Sequence, residues 1–71
     1  MNKINKIKIN TEIIKLDAFL KWAAIVSSGS EAKLYIQDGL VKVNNEICIQ
    51  RGKKLKVGDI VNFKDSDFEI V

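Results

Sequence analysis

The spacing of hydrophobic residues changes at Gly39, and this change limits the folds available to the chain. From Leu16 to Gly39, hydrophobic residues recur every three or four positions, which is typical of helices that bury one face. After Gly39 they alternate with polar residues, beginning with Val41-Lys42-Val43, which is typical of strands. In 71 residues this order predicts one small domain of the α+β class, with two short packed helices against a small, mostly antiparallel sheet.

The two helices are predicted over about residues 16–26 and 29–38, separated by a link rich in serine and glycine. Ser28, followed three residues later by Glu31, matches a capping box, in which the two side chains bind free amides at a helix start. Gly39 is well placed as the C-terminal cap, because glycine readily adopts the positive φ angle that ends many helices.

Turns and short strands are predicted on both sides of these helices. Asn44-Asn45 predicts a hairpin turn, because asparagine tolerates the positive φ angles that such turns require. Isoleucine-rich residues ahead of the first helix favour a short strand or arm over residues 1–10 of a single domain that spans residues 1–71. The return strand of the hairpin and the later turns and strands are predicted at Ile47–Ile49, Val57–Asp59, Ile60–Phe63, Lys64–Asp67 and Phe68–Val71.

Few residues offer catalytic or metal-binding chemistry. The chain has no histidine, so the commonest general base is missing, and it has no glycine-rich phosphate loop. Its one cysteine, Cys48, cannot form an internal disulfide and is expected to be a buried or half-buried residue of a strand. The acids Asp65, Asp67 and Glu69 are expected to be solvated. We therefore predict a cytoplasmic protein with no enzymatic activity, no metal, no cofactor, no small-molecule substrate and no membrane contact.

Positive charge is concentrated in one part of the chain. Residues 1–58 hold 11 lysines and arginines against five acids, whereas residues 59–71 hold one lysine against four acids. Four of the six residues in Arg51–Lys56 are basic, and this segment is predicted as an exposed loop. Such a distribution favours a surface for a polyanion, since arginine can bind phosphate with two hydrogen bonds and lysine supplies a mobile charge.

The candidate phosphate contacts come from separate segments, and folding is expected to gather them on one face. Ser28, Gly29 and Ser30 would present backbone amides at a helix N-terminus, where anions bind well. Aromatic residues are expected mainly in the core, with Trp22 half exposed, so recognition of folded RNA through shape and phosphates is favoured over base stacking. The other candidates, on the second helix, the hairpin and the basic loop, are Lys33, Gln37, Lys42, Arg51, Lys53 and Lys54.

Five motifs occur in order along the chain, at Lys15 to Lys21, Ser28 to Lys33, Val41 to Glu46, Arg51 to Leu55 and Gly58-Asp59. Together they resemble the alpha-L RNA-binding domain, first known from a primary rRNA-binding protein of the small ribosomal subunit, and especially its free-standing YaaA-like members. The wider family usually has an arginine at the position of Gly29, where the free-standing members have glycine, and it usually has an Asn-Gly turn at the position of Asn44-Asn45. Carried over by position, the resemblance implies RNA contacts at Lys21, Ser28, Gly29, Lys33, Lys42, Asn44, Arg51, Gly52, Lys53 and Lys54.

Three functional hypotheses remain open from the sequence. The leading one, which the resemblance implies, is a monomeric protein that binds structured RNA, such as ribosomal RNA or ribosomal particles, in ribosome assembly. The second is a protein-interaction module whose basic face docks an acidic protein partner. The third is duplex DNA binding, which is less favoured because the second helix carries only Lys33 as a cation.

Overall fold

In the computed structural model, which describes residues 4–71, two helices accompany seven short strands. In chain order they are β1 (Ile4–Ile7), β2 (Ile13–Lys15), α1 (Leu16–Trp22), α2 (Gly29–Gln37), β3 (Val41–Val43), β4 (Glu46–Ile47), β5 (Lys54–Lys56), β6 (Ile60–Phe63) and β7 (Ser66–Ile70). The strands form a five-stranded sheet in the order β1-β7-β6-β3-β4 and a two-stranded ribbon of β2 and β5. All pairs are antiparallel except β1 with β7, so the predicted α+β class is confirmed.

β1 forms one edge of the five-stranded sheet. It runs parallel to β7, with Ile4 beside Asp67 and Ile7 beside Ile70. The pairing continues past the strand, since the Ile9 amide donates to the carbonyl of Val71 at 3.3 Å. Part of the arm expected over residues 1–10 is therefore a strand of the main sheet, and residues 1–3 of that arm lie outside the described residues.

The core lies between the helices and one face of the sheet. α1 buries Phe19 and Leu20 completely, and in β3 the side chains of Val41 and Val43 are buried while Lys42 between them is exposed. Each fully buried side chain of this size contributes about 1.5–3 kcal/mol to folding. Within residues 4–71 no polar or charged residue is buried, so the polar and charged side chains of this part of the chain lie at or near the surface.

α1 ends four residues before the predicted boundary at Val26, so the predicted length was wrong. Ala24 has a positive φ angle of 58°, which an α-helix cannot contain. The Ile25 amide donates to the carbonyl of Leu20 at 2.9 Å and the Ala24 amide to that of Lys21 at 3.0 Å, which are the paired bonds of a Schellman motif. Val26 is still buried beyond this cap, so the apolar spacing continues where the helix does not.

α2 and its two caps agree closely with the predicted helix over about residues 29–38. The Ser28 hydroxyl accepts a hydrogen bond from the Glu31 amide at 3.2 Å. The Glu31 carboxylate bonds the amide and hydroxyl of Ser27, at 2.9 and 3.1 Å, one residue earlier than in a standard capping box. Gly39 has a φ of 74° just beyond the last turn.

In residues 4–71 neither helix has the length and apolar character that a membrane span needs.

Two-residue turns with positive φ angles connect the hairpins. Asn44 and Asn45, with φ angles of 51° and 71°, join β3 to β4 and confirm the predicted turn. Lys64 and Asp65, with φ angles of 51° and 63°, join β6 to β7 in the same way. The expected turn over residues 64–67 was therefore too long, because its last two residues already belong to β7.

Two other segments differ from the predicted structure. β4 ends at Ile47, so Cys48 and Ile49 lie beyond the strand, although Cys48 is half-buried as expected. Lys54–Lys56, predicted as part of a loop, is the strand β5, because it pairs with β2 from the other end of the chain. That pairing buries Leu55 completely.

Candidate nucleic-acid interface

The segment Arg51–Lys53, called here the cap segment, is fastened to the start of α1 by backbone hydrogen bonds. The Leu16 amide donates to the carbonyl of Lys53 at 2.8 Å, and the Asp17 amide donates to the carbonyl of Arg51 at 3.1 Å. Amides in the first turn of a helix have no partner within that helix, and the N-cap residue Lys15 supplies no side-chain bond here. The backbone of the cap segment therefore takes that role, and its side chains stay exposed.

The ribbon of β2 and β5 places lysines close together on one side. Lys15 lies directly opposite Lys54, and Lys56 lies opposite Ile13. Side chains at opposite positions have Cβ atoms about 4.5–5.5 Å apart, and like charges there are destabilising. The three lysines, called here the lysine ribbon, are all exposed, while Leu55 points into the core. A bound anion would offset their mutual repulsion.

Lys15 and Lys56 are missing from the contacts predicted from sequence. Their proximity depends on the register between β2 and β5, which lie far apart along the chain, and no local pattern reveals that register. The alternation Lys54-Leu55-Lys56 could have predicted part of this arrangement. A half-buried strand here places both lysines on one exposed face.

Asn44, a predicted RNA contact, uses its side chain within the protein. Its Oδ1 accepts a hydrogen bond from the Ile60 amide at 3.0 Å, and its Nδ2 donates to Asp59 Oδ1 at 3.2 Å. Asp59 Oδ2 in turn accepts from the Lys56 amide at 2.9 Å. The two side chains thus join the β3–β4 hairpin to the end of the lysine ribbon and limit their relative movement.

The α2 candidates lie on an exposed side of that helix. Lys33 and Gln37 are four residues apart and face solvent, and a Cβ added at Gly29 would meet no atom within 4 Å, so the backbone there is open to a ligand. The first turn also holds the Glu31 carboxylate, whose pKa is lowered by the hydrogen bond from the Ser27 amide, then by the Ser27 hydroxyl and by the charge of Lys64. That negative charge opposes a phosphate at the same helix end.

All twelve predicted contact residues are exposed, but they lie on different elements. Arg51 to Lys54 are brought against α1 and β2, and the Asp59 and Asn44 bonds extend this group to the hairpin. Lys42 lies on the sheet face away from the core, beside Asn62 of β6. Lys21 lies in the last turn of α1 next to Trp22, which is half exposed as predicted.

The structure is a small α+β domain whose basic cap segment is hydrogen-bonded to the backbone of its first helix. The S4 domain family model matches residues 7–71, and the chain belongs to the S4 domain family, which confirms the family resemblance found in the sequence motifs. The chain is also similar to a protein from Bacillus subtilis (strain 168) described as "Probable ribosome maturation protein RlbA". The two are 43% identical over 68 residues, which cover 94% of this chain and 96% of the relative.

Proposed function

We propose that this protein binds structured RNA, with ribosomal RNA or a ribosomal particle as its target, and acts in ribosome maturation without catalysing a reaction. Membership of the S4 domain family and similarity to a probable ribosome maturation protein support this proposal. The observation that carries it is the direct opposition of Lys15 and Lys54 in the lysine ribbon. Two opposed lysines repel each other, and a bound phosphate group would offset that repulsion.

The lysine ribbon and the cap segment would together contact the phosphates. Two ammonium groups roughly 6 Å apart in water repel each other by about 0.7 kcal/mol, and an intervening phosphate turns this repulsion into two attractions. Arg51 would add a planar group that can bind one phosphate through two hydrogen bonds. The backbone of the cap segment is already fixed by hydrogen bonds to α1. RNA binding would therefore not lose the conformational entropy of an unordered loop.

The remaining predicted residues would extend this surface. We assign Lys21, Lys33, Gln37 and Lys42 to further contacts with the RNA backbone, and the amides of Ser28, Gly29 and Ser30 to a weaker phosphate contact. Gly52 keeps the cap segment open to close approach, since a Cβ added there would meet no atom within 4 Å. Asn44 acts through position, holding the hairpin beside the ribbon.

The salt dependence of RNA binding tests this function. The five phosphate contacts of the lysine ribbon and cap segment, from Lys15, Arg51, Lys53, Lys54 and Lys56, alone give a slope of log K against log salt of about −3.5 to −4.5, and each further lysine contact steepens it by about 0.7–0.9. Affinity for a ribosomal RNA fragment should therefore fall by at least about 100-fold between 50 and 200 mM salt, as measured by fluorescence anisotropy. Absence of binding at 50 mM, or binding that does not depend on salt, would contradict the proposal.

A charge-matched variant separates the surface from net charge. Lys54→Gln and Lys6→Gln each remove one positive charge, but Lys6 lies on the edge strand β1, beside Glu69. We expect Lys54→Gln to reduce the salt slope by about 0.7–0.9 and Lys6→Gln to leave it nearly unchanged. Equal effects of the two variants would mean that only net charge matters.

A second candidate, a protein-interaction module, is favoured by one observation. Ile47 and Ile49, which are 61% and 62% exposed, line a cavity of about 430 Å³ together with Glu46 and Lys53. An apolar side chain of a protein partner would fit this cavity, with an acidic group of the partner beside Lys53. Affinity purification with and without nuclease distinguishes the two functions, because a protein partner retained after nuclease treatment supports docking and its loss supports RNA binding.

A further inference from the structure

A shallow groove on the exposed side of α1 has the Trp22 indole as its largest wall. The groove has a volume of about 370 Å³ and is lined by Ile14, Ala18, Lys21 and Trp22. Trp22 is 52% exposed, and its indole N–H donates to the backbone carbonyl of Lys8 at 2.8 Å. Because this bond holds the ring and occupies its only donor, the groove offers a ligand the apolar face of the indole.

Within residues 4–71, the exposed Trp22 indole is not paired with another aromatic ring. The aromatic pair found among residues 4–71 joins Tyr35 to Phe63, and Lys64 lies over those two rings. The core contacts of α1 come instead from Leu16, Phe19 and Leu20, which are fully buried. The free face of Trp22 therefore remains available to a flat group from another molecule.

The charges around the groove favour a nucleotide. Lys21 is the charged residue that lines it, and the carboxylate of nearby Asp17 is turned back onto the Ala18 amide at 2.8 Å. Ile14, which also lines the groove, pairs with Leu55, so its side chain lies on the other face of β2 from Lys15, the next residue. α1 is about 10 Å long, so an RNA strand that passes around the start of this helix could reach both the groove and the ribbon.

We propose that this groove holds one unpaired nucleobase of the bound RNA, stacked on Trp22, with Lys21 contacting an adjacent phosphate. The inference rests on the RNA-binding function proposed above and adds that the RNA presents a bulged or looped-out base beside α1, the helix to which the cap segment is hydrogen-bonded. Every base has a flat π-face, so this contact selects for an unpaired nucleotide more than for a sequence. Lys21 beside the ring favours an anionic nucleotide over a neutral apolar side chain of a protein.

Two RNA duplexes of the same sequence, with and without a single-nucleotide bulge, test this proposal. Trp22 is the only tryptophan of the chain, so its fluorescence reports on the groove alone. We expect the bulged duplex to quench that fluorescence more strongly and to bind more tightly than the paired duplex. Trp22→Leu should lose about 5- to 150-fold in affinity for the bulged duplex and little for the paired one, whereas Trp22→Phe should keep most of the preference.

The outcomes separate this inference from the RNA-binding function. Salt-dependent binding of both duplexes, without preference and without quenching, would overturn the stacking site and leave RNA binding intact. A wild-type protein that binds neither duplex would overturn both. If circular dichroism shows that Trp22→Leu does not fold, two other measurements test the stacking site. They are the quenching of wild-type fluorescence by the bulged duplex and the ratio of the affinities of Trp22→Phe for the bulged and the paired duplex. Equal affinity of the wild type for the two duplexes contradicts the proposal in every case.

Discussion

Lys54→Gln should have opposite effects on folding and on RNA binding. In the free protein, Lys54 lies directly opposite Lys15, so its charge raises the energy of the folded state. In the complex, the same charge would contact phosphate. If Lys54 served only the fold, replacing it would lower both the stability of the protein and its affinity for RNA.

The size of each effect can be estimated by taking the two ammonium groups as roughly 6 Å apart. Two charges roughly 6 Å apart in water repel by about 0.7 kcal/mol, and salt screening reduces this value, so Lys54→Gln should stabilise the protein by about 0.2–0.5 kcal/mol at low salt. Loss of one phosphate contact should lower RNA affinity about 6-fold at 0.1 M salt. Urea unfolding monitored by Trp22 fluorescence gives the first quantity, and anisotropy titration gives the second.

A double variant shows whether the two lysines act on each other. Lys15→Gln in the Lys54→Gln protein should add little stability, because the repulsion has already been removed, while RNA affinity should fall by about 40-fold in total at 0.1 M salt. If Lys54→Gln destabilises the protein, or if the second substitution stabilises it as much as the first, then the proposed repulsion is wrong.

Three further predictions concern the turns and caps. Ala24→Gly should stabilise the protein by about 0.5–1 kcal/mol, because Ala24 has a φ of 58°, and a lowered Tm would contradict this. Asn44→Ala should destabilise it by about 2 kcal/mol in urea unfolding, whereas Asn44→Gly, which tolerates the φ of 51°, should cost less. The lowered pKa of Glu31 means that its carboxylate stabilises the fold above its ordinary pKa of 4.5 and loses this effect as pH falls through the lowered value. The stability difference between wild type and Glu31→Gln should therefore shrink below pH 4.5, and a constant difference would contradict this cause.

The features that were predictable from sequence are those set by neighbouring residues. The cap at Ser28, the glycine after α2 and the Asn44-Asn45 turn each depend on local chemistry, and all three occur as predicted. The end of α1 was not predictable, because Ala24 is an unusual residue for a positive φ angle and gives no warning of it.

The candidate surface shows the same division between local and long-range information. The cationic residues of the cap segment were evident from composition, but their place against α1 depends on backbone bonds between residues far apart in sequence. Lys15 was not predicted as a contact for the same reason. The contacts that sequence did predict, from Lys21 to Lys54, remain predictions until RNA binding is measured.

Asp59 offers a test of whether rigidity, and not charge alone, contributes to RNA binding. Its carboxylate accepts from the Lys56 amide at 2.9 Å and from Asn44 Nδ2 at 3.2 Å, and so holds the hairpin beside the lysine ribbon. Removing an acid from a basic surface should strengthen RNA binding if electrostatics alone decide affinity. If a fixed arrangement matters, the ordering that binding then requires lowers affinity instead.

Asp59→Ala and Asp59→Asn separate these effects, because both remove one negative charge and only asparagine keeps a carbonyl oxygen that can accept the Lys56 amide. We expect Asp59→Ala to bind RNA more weakly than Asp59→Asn at every salt concentration, with similar slopes of log K against log salt, since no cation is lost in either. Binding by Asp59→Ala that equals or exceeds that of Asp59→Asn would show that the bonds from Asp59 to Asn44 and Lys56 serve folding alone.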